Sequence, residues 1–217
     1  MKTTMSIIAV CAAIFILQSI IPGFTSEFSL TPSKALSGHV WQFVTYMFLH
    51  GDPVHIFLNM FALLIFGIVI ENTLGRKKYL TLFFISGIAS SVIYLLITVS
   101  ITPAAELSFI LNIPMLGASG AVFGVLAAYG LLYPKNWIIM FPGIPMPAWI
   151  AVIAFAGMEI FYGLTGSQPG IANWGHLGGL AIGAALMIYW KKKKSAKPDL
   201  IIDETAENEK GWEFVWE

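Results

Sequence analysis

Six mostly apolar stretches of about 17 to 23 residues constrain this chain more than any other feature. Each is long enough to cross the hydrocarbon core of a bilayer as a helix, and lipid favours helices because it offers no partner for free backbone groups. The sequence predicts an all-α membrane protein with a six-helix membrane domain over residues 1–194 and an acidic tail over 195–217. The predicted spans are Met5–Ile21, Val54–Ile70, Tyr79–Ile101, Met115–Tyr133, Ala148–Leu164 and Ile171–Trp190.

Composition excludes several classes of protein. Hydrophobic residues make up 57% of the 217 residues and charged residues only 11%, against about 25% charged in an ordinary soluble domain. A soluble globule could not hide that much apolar surface. A soluble enzyme, a disordered chain and a nucleic-acid-binding protein are therefore excluded, and the single cysteine, Cys11, allows no internal disulfide.

The basic residues predict the orientation of the spans. With six spans both termini share one side, and that side would hold eleven of the twelve basic residues, all except Lys34. Positive charge accumulates on the cytoplasmic side, so we expect a multi-pass protein of the plasma (inner) membrane with both termini cytoplasmic. A cleaved signal peptide is the alternative interpretation of the first span, although no clear cleavage site follows it.

Two segments outside the spans carry their own predictions. The first outer connection, residues 21–53, is rich in aromatic residues, and Trp41 and Tyr46 suit a membrane interface. We expect it to fold into short helices that lie partly in the outer leaflet. The tail holds seven of the twelve acidic residues, between Asp199 and Glu217, which is typical of a flexible, solvated segment.

Two polar residues stand beside glycines in the fourth and sixth spans. Ser119 precedes Gly120, and His176 shares its helix face with Gly179 and Gly183. Small residues let helices approach closely, so the hydroxyl and the imidazole can meet. Histidine can then take the proton of a serine that attacks a carbonyl. Separately, each residue also fits a structural role, the serine bonding to its own helix.

Other polar residues fit the same chemistry. His55 and Asn59 lie one turn apart near the outer end of the second span. They can donate hydrogen bonds to the oxyanion of an acyl-transfer reaction, or they can be a polar pair that links helices. Glu159 is the only carboxylate deep in a span, and nothing in the sequence puts it beside His176. The sequence therefore predicts a Ser–His pair and not a triad.

These residues, taken in order, resemble the motifs of the rhomboid family of intramembrane serine proteases. The resemblance covers about residues 41–190 and implies a six-helix rhomboid-like bundle with a membrane-associated first outer loop. The matching segments are His55-Ile56-Phe57-Leu58-Asn59, Glu71-Asn72-Thr73-Leu74-Gly75, Gly117-Ala118-Ser119-Gly120, and Gly175-His176-Leu177-Gly178-Gly179 with Gly183.

The resemblance implies roles for four residues. Ser119 would be the nucleophile and His176 its base, while His55 and Asn59 would help to form the oxyanion hole beside the Ser119 amide. The family cleaves transmembrane segments of other proteins near the membrane surface. The expected partners are thus single-span membrane protein substrates and the lipid bilayer, with no nucleic acid, cofactor or metal. The only metal candidates, around His50 and His55, lack the ligands of a zinc site.

Departures and rival functions complete the prediction. Gln42 stands where many relatives have arginine, and Phe123 where some have a tyrosine that packs under the histidine. One rival is a catalytically silent rhomboid-like chaperone or binding protein, but such relatives lack the serine or the histidine. The other is a small transporter that uses Glu159, His176 and His55 as an ion path.

Overall fold

The computed structural model describes residues 1–140, 143–168 and 171–195, and these residues are mostly helical. Of the predicted acidic tail only Ser195 falls within the described residues. The elements are α1 (Lys2–Ile20), α2 (Phe24–Phe28), α3 (Pro32–Leu36), α4 (Gln42–Thr45), a 3₁₀ turn (Tyr46–Phe48), α5 (Pro53–Ala62), a π-helical turn (Leu63–Gly67), α6 (Ile68–Ile101), α7 (Ala104–Ile110), α8 (Ser119–Leu132), β1 (Trp137–Met140), β2 (Ile144–Pro147), α9 (Ala148–Thr165) and α10 (Asn173–Ser195).

Three helical stretches among the described residues have the length and hydropathy of a membrane span. They are Lys2–Ile20, Pro53–Ile101 and Ala148–Thr165, and Ser119–Leu132 is a shorter apolar helix. Many of their large apolar side chains are exposed, as expected for surfaces that face lipid. The chain thus has the helical, apolar architecture of a membrane protein, while the count of six spans stays a prediction.

The stretch Pro53–Ile101 is continuous in hydrogen bonding but not straight. It begins where the Asp52 side chain accepts from the His55 amide at 2.9 Å and Pro53 fills the first helical position. At Gly75 the backbone leaves the helical region, with φ 74° and ψ 162°. A positive φ favours glycine, so the chain bends here, between the second and third predicted spans.

A short β-hairpin separates α8 from α9 and is an element that the all-α prediction omits. Strands β1 and β2 pair antiparallel, from Trp137 opposite Pro147 to Met140 opposite Ile144. In the sequence, Pro145 and Pro147 indicate a break between helices, because proline is rare inside helices and sheets. A two-stranded ribbon has no central strand, so its prolines can lie where no ladder bond is lost.

Helices α6, α8 and α10 pack through small residues at the centre of the molecule. We call Gly120 and Gly124 of α8 with Gly179 and Gly183 of α10 the glycine seam. A Cβ at Gly179 would collide with the backbone of Gly120, and one at Gly183 with the backbone of Gly124. The two backbones therefore touch, which only glycine permits, and this contact sets how far apart the side chains on α8 and α10 lie.

The connection 21–52 folds into short helices that hold the segment leading into α8. Leu30 and Met115 exchange two backbone hydrogen bonds, at 2.9 and 2.8 Å, and the Gly117 amide donates to the Tyr46 carbonyl at 3.0 Å. Gln42 is fully buried and bonds within the connection, since its Nε2 donates to the Glu27 carbonyl at 2.9 Å. The position of these short helices relative to the membrane stays a prediction.

Candidate active site

Ser119 lies at the start of α8, directly after a backbone turn. Gly117 has φ 122°, which strongly favours glycine, and the helix begins two residues later. The first helical hydrogen bond to Ala118 comes from the Val122 amide at 3.0 Å. The amides of residues 119 to 121 therefore have no partner within the helix, and the partial positive charge of a helix N-terminus lies beside Ser119.

His176 lies at the start of α10 and meets Ser119 across the glycine seam. Its Nε2 is 2.7 Å from the Ser119 Oγ, within hydrogen-bond distance, although the residues are 57 positions apart. Its ring also stacks on Phe123, one turn after Ser119, with centroids 4.7 Å apart and planes within 6°. The imidazole is therefore held at one edge and on one face, and its side chain is only 12% exposed.

Glu159 of α9 approaches the opposite edge of the same imidazole. Its Oε1 is 3.0 Å from the His176 Nδ1. The contact is off the axis of a linear hydrogen bond, and Nδ1 has no hydrogen-bond partner among the described residues. The other carboxylate oxygen accepts a hydrogen bond from the buried Asn173 Nδ2 at 2.7 Å.

His55 and Asn59 lie on α5, beside the segment that precedes Ser119. A Cβ at Gly117 would be 2.7 Å from the His55 Nε2 and 3.8 Å from the Ser119 Oγ, so the ring lies close to the serine. Asn59 is buried, and its Nδ2 donates to the His55 carbonyl at 2.9 Å. Among the described contacts it meets neither Ser119 nor His176 directly.

His50 packs edge-on against His55, with ring centroids 5.1 Å apart. Burial lowers the pKa of His50 to about 4, so its ring is neutral at pH 7. Despite these neighbouring histidines, no group of three histidine, cysteine, aspartate or glutamate residues in the described ranges could hold a metal ion.

Sequence reasoning missed the contact of Glu159 with His176 and the hydrogen bond from Asn173 to Glu159. The available signal was one carboxylate in an otherwise apolar span. Its partner could not be inferred, because the spacing of residues along one helix carries no information about its rotation or depth against another helix.

Comparison with known proteins finds a matching family model and several similar proteins. A family model of the Rhomboid domain matches residues 37–193. RHOMBOID-like protein 12, mitochondrial, from Arabidopsis thaliana is 29% identical over 178 residues, or 79% of this chain and 52% of that protein. Rhomboid protease AarA from Providencia stuartii is 30% identical over 165 residues, covering 71% of this chain and 57% of that one.

One similar protein is named as inactive. Inactive RHOMBOID-like protein 8 from Arabidopsis thaliana is 29% identical over 148 residues, covering 67% of this chain and 37% of that protein. The chain thus spans roughly a third to just over half of the length of these relatives. The region of this chain that matches the family model, residues 37–193, includes Ser119, His176, His55 and Asn59.

Proposed function

The chain belongs to the Rhomboid family, and from that premise we propose that it is an intramembrane serine endopeptidase with Ser119 as nucleophile and His176 as base. The observation that carries the proposal is the 2.7 Å distance between the Ser119 Oγ and the His176 Nε2. The chain keeps both residues of the family's motifs, which argues against the silent chaperone or binding protein.

The reaction follows from the two side chains. The Ser119 Oγ attacks the peptide carbonyl carbon while its proton passes to the His176 Nε2, and the carbonyl electron pair moves onto oxygen. The C–N bond then breaks, and the imidazolium gives its proton to the departing amine. Water repeats the sequence on the acyl-enzyme and releases the acid, so neither metal nor cofactor takes part.

The oxyanion would lie at the start of α8. The Ser119 amide and the positive end of the helix face it, and donors preorganised there stabilise developing charge. His55 supplies a ring nitrogen beside Gly117. Asn59 uses one N–H on the His55 carbonyl and keeps a second for the oxyanion, so we assign both side chains to this role.

The proposed setting is a six-span protein of the plasma (inner) membrane with both termini cytoplasmic. The excess of basic residues on one side supports this orientation, and the aromatic residues of the 21–53 connection support its partial burial in the outer leaflet. Ser119 and His176 would then line a water-filled cavity that opens outward, and the substrates would be single-span proteins cut near that face.

A substrate must unwind at the cut, because a helix buries and hydrogen-bonds its peptide groups. We therefore expect a preference for spans with glycine or proline near small residues at the cut. Reporters that differ only in replacement of this segment by leucines test the preference, and equal cleavage of both would contradict it.

Reconstitution with a single-span reporter tests the activity itself. Ser119→Ala and His176→Ala should abolish cleavage, whereas Asn59→Ala should slow it about 10²- to 10³-fold. A fluorophosphonate should label the intact chain and not Ser119→Ala. The matched control is Ser108→Ala, at an exposed serine of α7, which should cleave normally. Undiminished cleavage by Ser119→Ala would disprove the proposal.

A further inference from the structure

The structure assigns Glu159 as a positioning residue for His176, so that a carboxylate completes what the sequence predicts as a pair. This inference rests on the proposed function and deepens it. The carboxylate would keep the Nδ1 of the imidazole protonated, which leaves the Nε2 lone pair directed at the Ser119 hydroxyl. The geometric basis is the 3.0 Å separation of Oε1 and Nδ1, at the edge of the ring opposite Ser119.

The carboxylate is itself anchored. Asn173 is buried and donates to the Glu159 Oε2 at 2.7 Å, and the same Nδ2 lies 3.2 Å from the Gln168 Oε1. One oxygen is thus held by α10, one turn before His176, and the other remains for the imidazole. The bond from Asn173 therefore fixes the orientation of the carboxylate relative to the imidazole.

Charge supports the same assignment. The Glu159 side chain is 12% exposed. In the described part of the chain its carboxylate contacts the His176 ring and forms a salt bridge with no lysine or arginine. A carboxylate in a mostly apolar helix is retained only where something compensates its charge. The imidazole becomes positively charged when it takes the proton from Ser119, and this positive charge compensates the carboxylate at that step.

The off-axis approach of Oε1 to Nδ1 has a defined consequence. In the resting structure the contact lacks the geometry of a hydrogen bond, and such contacts often tighten only when the reaction develops charge. The contribution of Glu159 should therefore be largest on the step that forms the imidazolium. Binding of the substrate should depend on it little.

Two variants of one residue test the inference. Glu159→Gln keeps the shape and removes the charge, and it should lower kcat and the rate of fluorophosphonate labelling by roughly 10- to 1,000-fold, with KM unchanged. Glu159→Asp keeps the charge on a shorter stem and should recover part of both rates. Glu106→Gln changes an exposed carboxylate of α7 and should leave both rates unchanged.

The outcomes separate this inference from the proposed function. If Ser119→Ala is inactive but Glu159→Gln stays within twofold of the parent, only the role of Glu159 is disproved. A loss in which KM and thermal stability change while the labelling rate does not, with Glu159→Asp no better than Glu159→Gln, would make Glu159 structural and also overturn it. Cleavage by Ser119→Ala would overturn both proposals.

A double-mutant cycle tests the anchor. Asn173→Ala frees the carboxylate and should lower the labelling rate less than Glu159→Gln does. Combined with Glu159→Gln it should add little, since the two residues act through one contact. Fully additive losses would show that Asn173 does not act through Glu159 and would contradict the anchored arrangement.

A measurement on the unaltered chain guards against variants that fail to fold. The chain has four histidines, so ¹⁵N NMR of the reconstituted, histidine-labelled protein is tractable, with His176 assigned by its loss in His176→Gln. The expected neutral tautomer carries the proton on Nδ1. A proton on Nε2 would disprove the inference regardless of any kinetic result.

Discussion

Among the helices that pack against the start of α10, α8 and α9 hold it in opposite ways. On the α8 side the glycine seam brings two backbones into contact, and nothing flexible lies between them. On the α9 side the contacts are made by side chains, and much of α9 is exposed, including Ile153 at 61% and Leu164 at 73%. His176 therefore has one rigid neighbour, which carries Ser119, and one adjustable neighbour, which carries Glu159.

The difference separates two kinds of precision. Backbone contact has almost no freedom to relax, so the distance from Ser119 to His176 is set by the seam. The distance from Glu159 to His176 depends on a side chain with several rotatable bonds and on its bond to Asn173. A graded series of substitutions, mostly at glycines, can test whether the two sides differ as described.

Gly179→Ala should have the largest effect. The new methyl group would collide with the Gly120 backbone carbonyl, so α8 and α10 must separate. We expect a loss of about 3 kcal/mol or more in the free energy of unfolding, together with loss of cleavage. Thermal unfolding in detergent and the reporter assay measure the two. A stable, active Gly179→Ala protein would show that the seam is not rigid.

Phe123→Leu should have the next largest effect, on activity more than on folding. It removes the ring that stacks on His176 at 4.7 Å, and such contacts contribute about 0.5–1.5 kcal/mol. We expect kcat to fall roughly 2- to 10-fold, and Phe123→Tyr, which keeps the ring, to be nearly normal. Equal rates for the leucine and tyrosine variants would show that the stacking of Phe123 on His176 does not help to hold the imidazole in place.

Gly130→Ala probes the contact between α8 and α9. Its methyl group would come within 2.6 Å of the Val152 Cγ2, which is a side-chain methyl group and not backbone, so α9 can shift slightly to make room. We expect a loss of no more than about 1 kcal/mol in stability and retained cleavage. If this variant were as damaging as Gly179→Ala, α9 would be as rigidly held as α10, and the contrast would fail.

Gly157→Ala should have the smallest effect. Among the described residues, no side chain and no backbone of another element lies within 4 Å of a Cβ at this position of α9. Alanine also favours a helix over glycine by up to about 1 kcal/mol. Stability should stay the same or rise slightly, with unchanged kinetics. A clear loss in the melting measurement would indicate a partner on this face of α9.

The sequence predicted the helical, apolar character of the chain and the residues of the candidate site. Some helix ends follow from local chemistry. Asp52 and Pro53 begin α5, and Gly166, in the left-handed conformation, ends α9. The boundaries differ where local signals compete. The fourth span was predicted from Met115, yet α8 begins at Ser119, because Met115 pairs with Leu30 and Gly117 adopts a positive φ.

The hairpin shows the other limit of sequence reasoning. Its residues Trp137–Met140 are apolar and β-prone, but the strand opposite contains two prolines. Proline signals a break in a helix much more strongly than it signals a place in a two-stranded ribbon. The sequence alone therefore favours a break between two helices at this segment over a pair of strands.

By itself the amino-acid sequence determined that the chain is an apolar, helical member of a membrane-protein class and that Ser119, His176, His55 and Asn59 are its candidate site residues, because hydropathy and motif spacing are local properties. Only the tertiary structure decided that Glu159 contacts the His176 ring and that Asn173 donates a hydrogen bond to Glu159. The same holds for the hydrogen bond from Asn59 to the His55 carbonyl. Those contacts depend on the depth and rotation of one helix against another, which periodicity along a single helix does not specify.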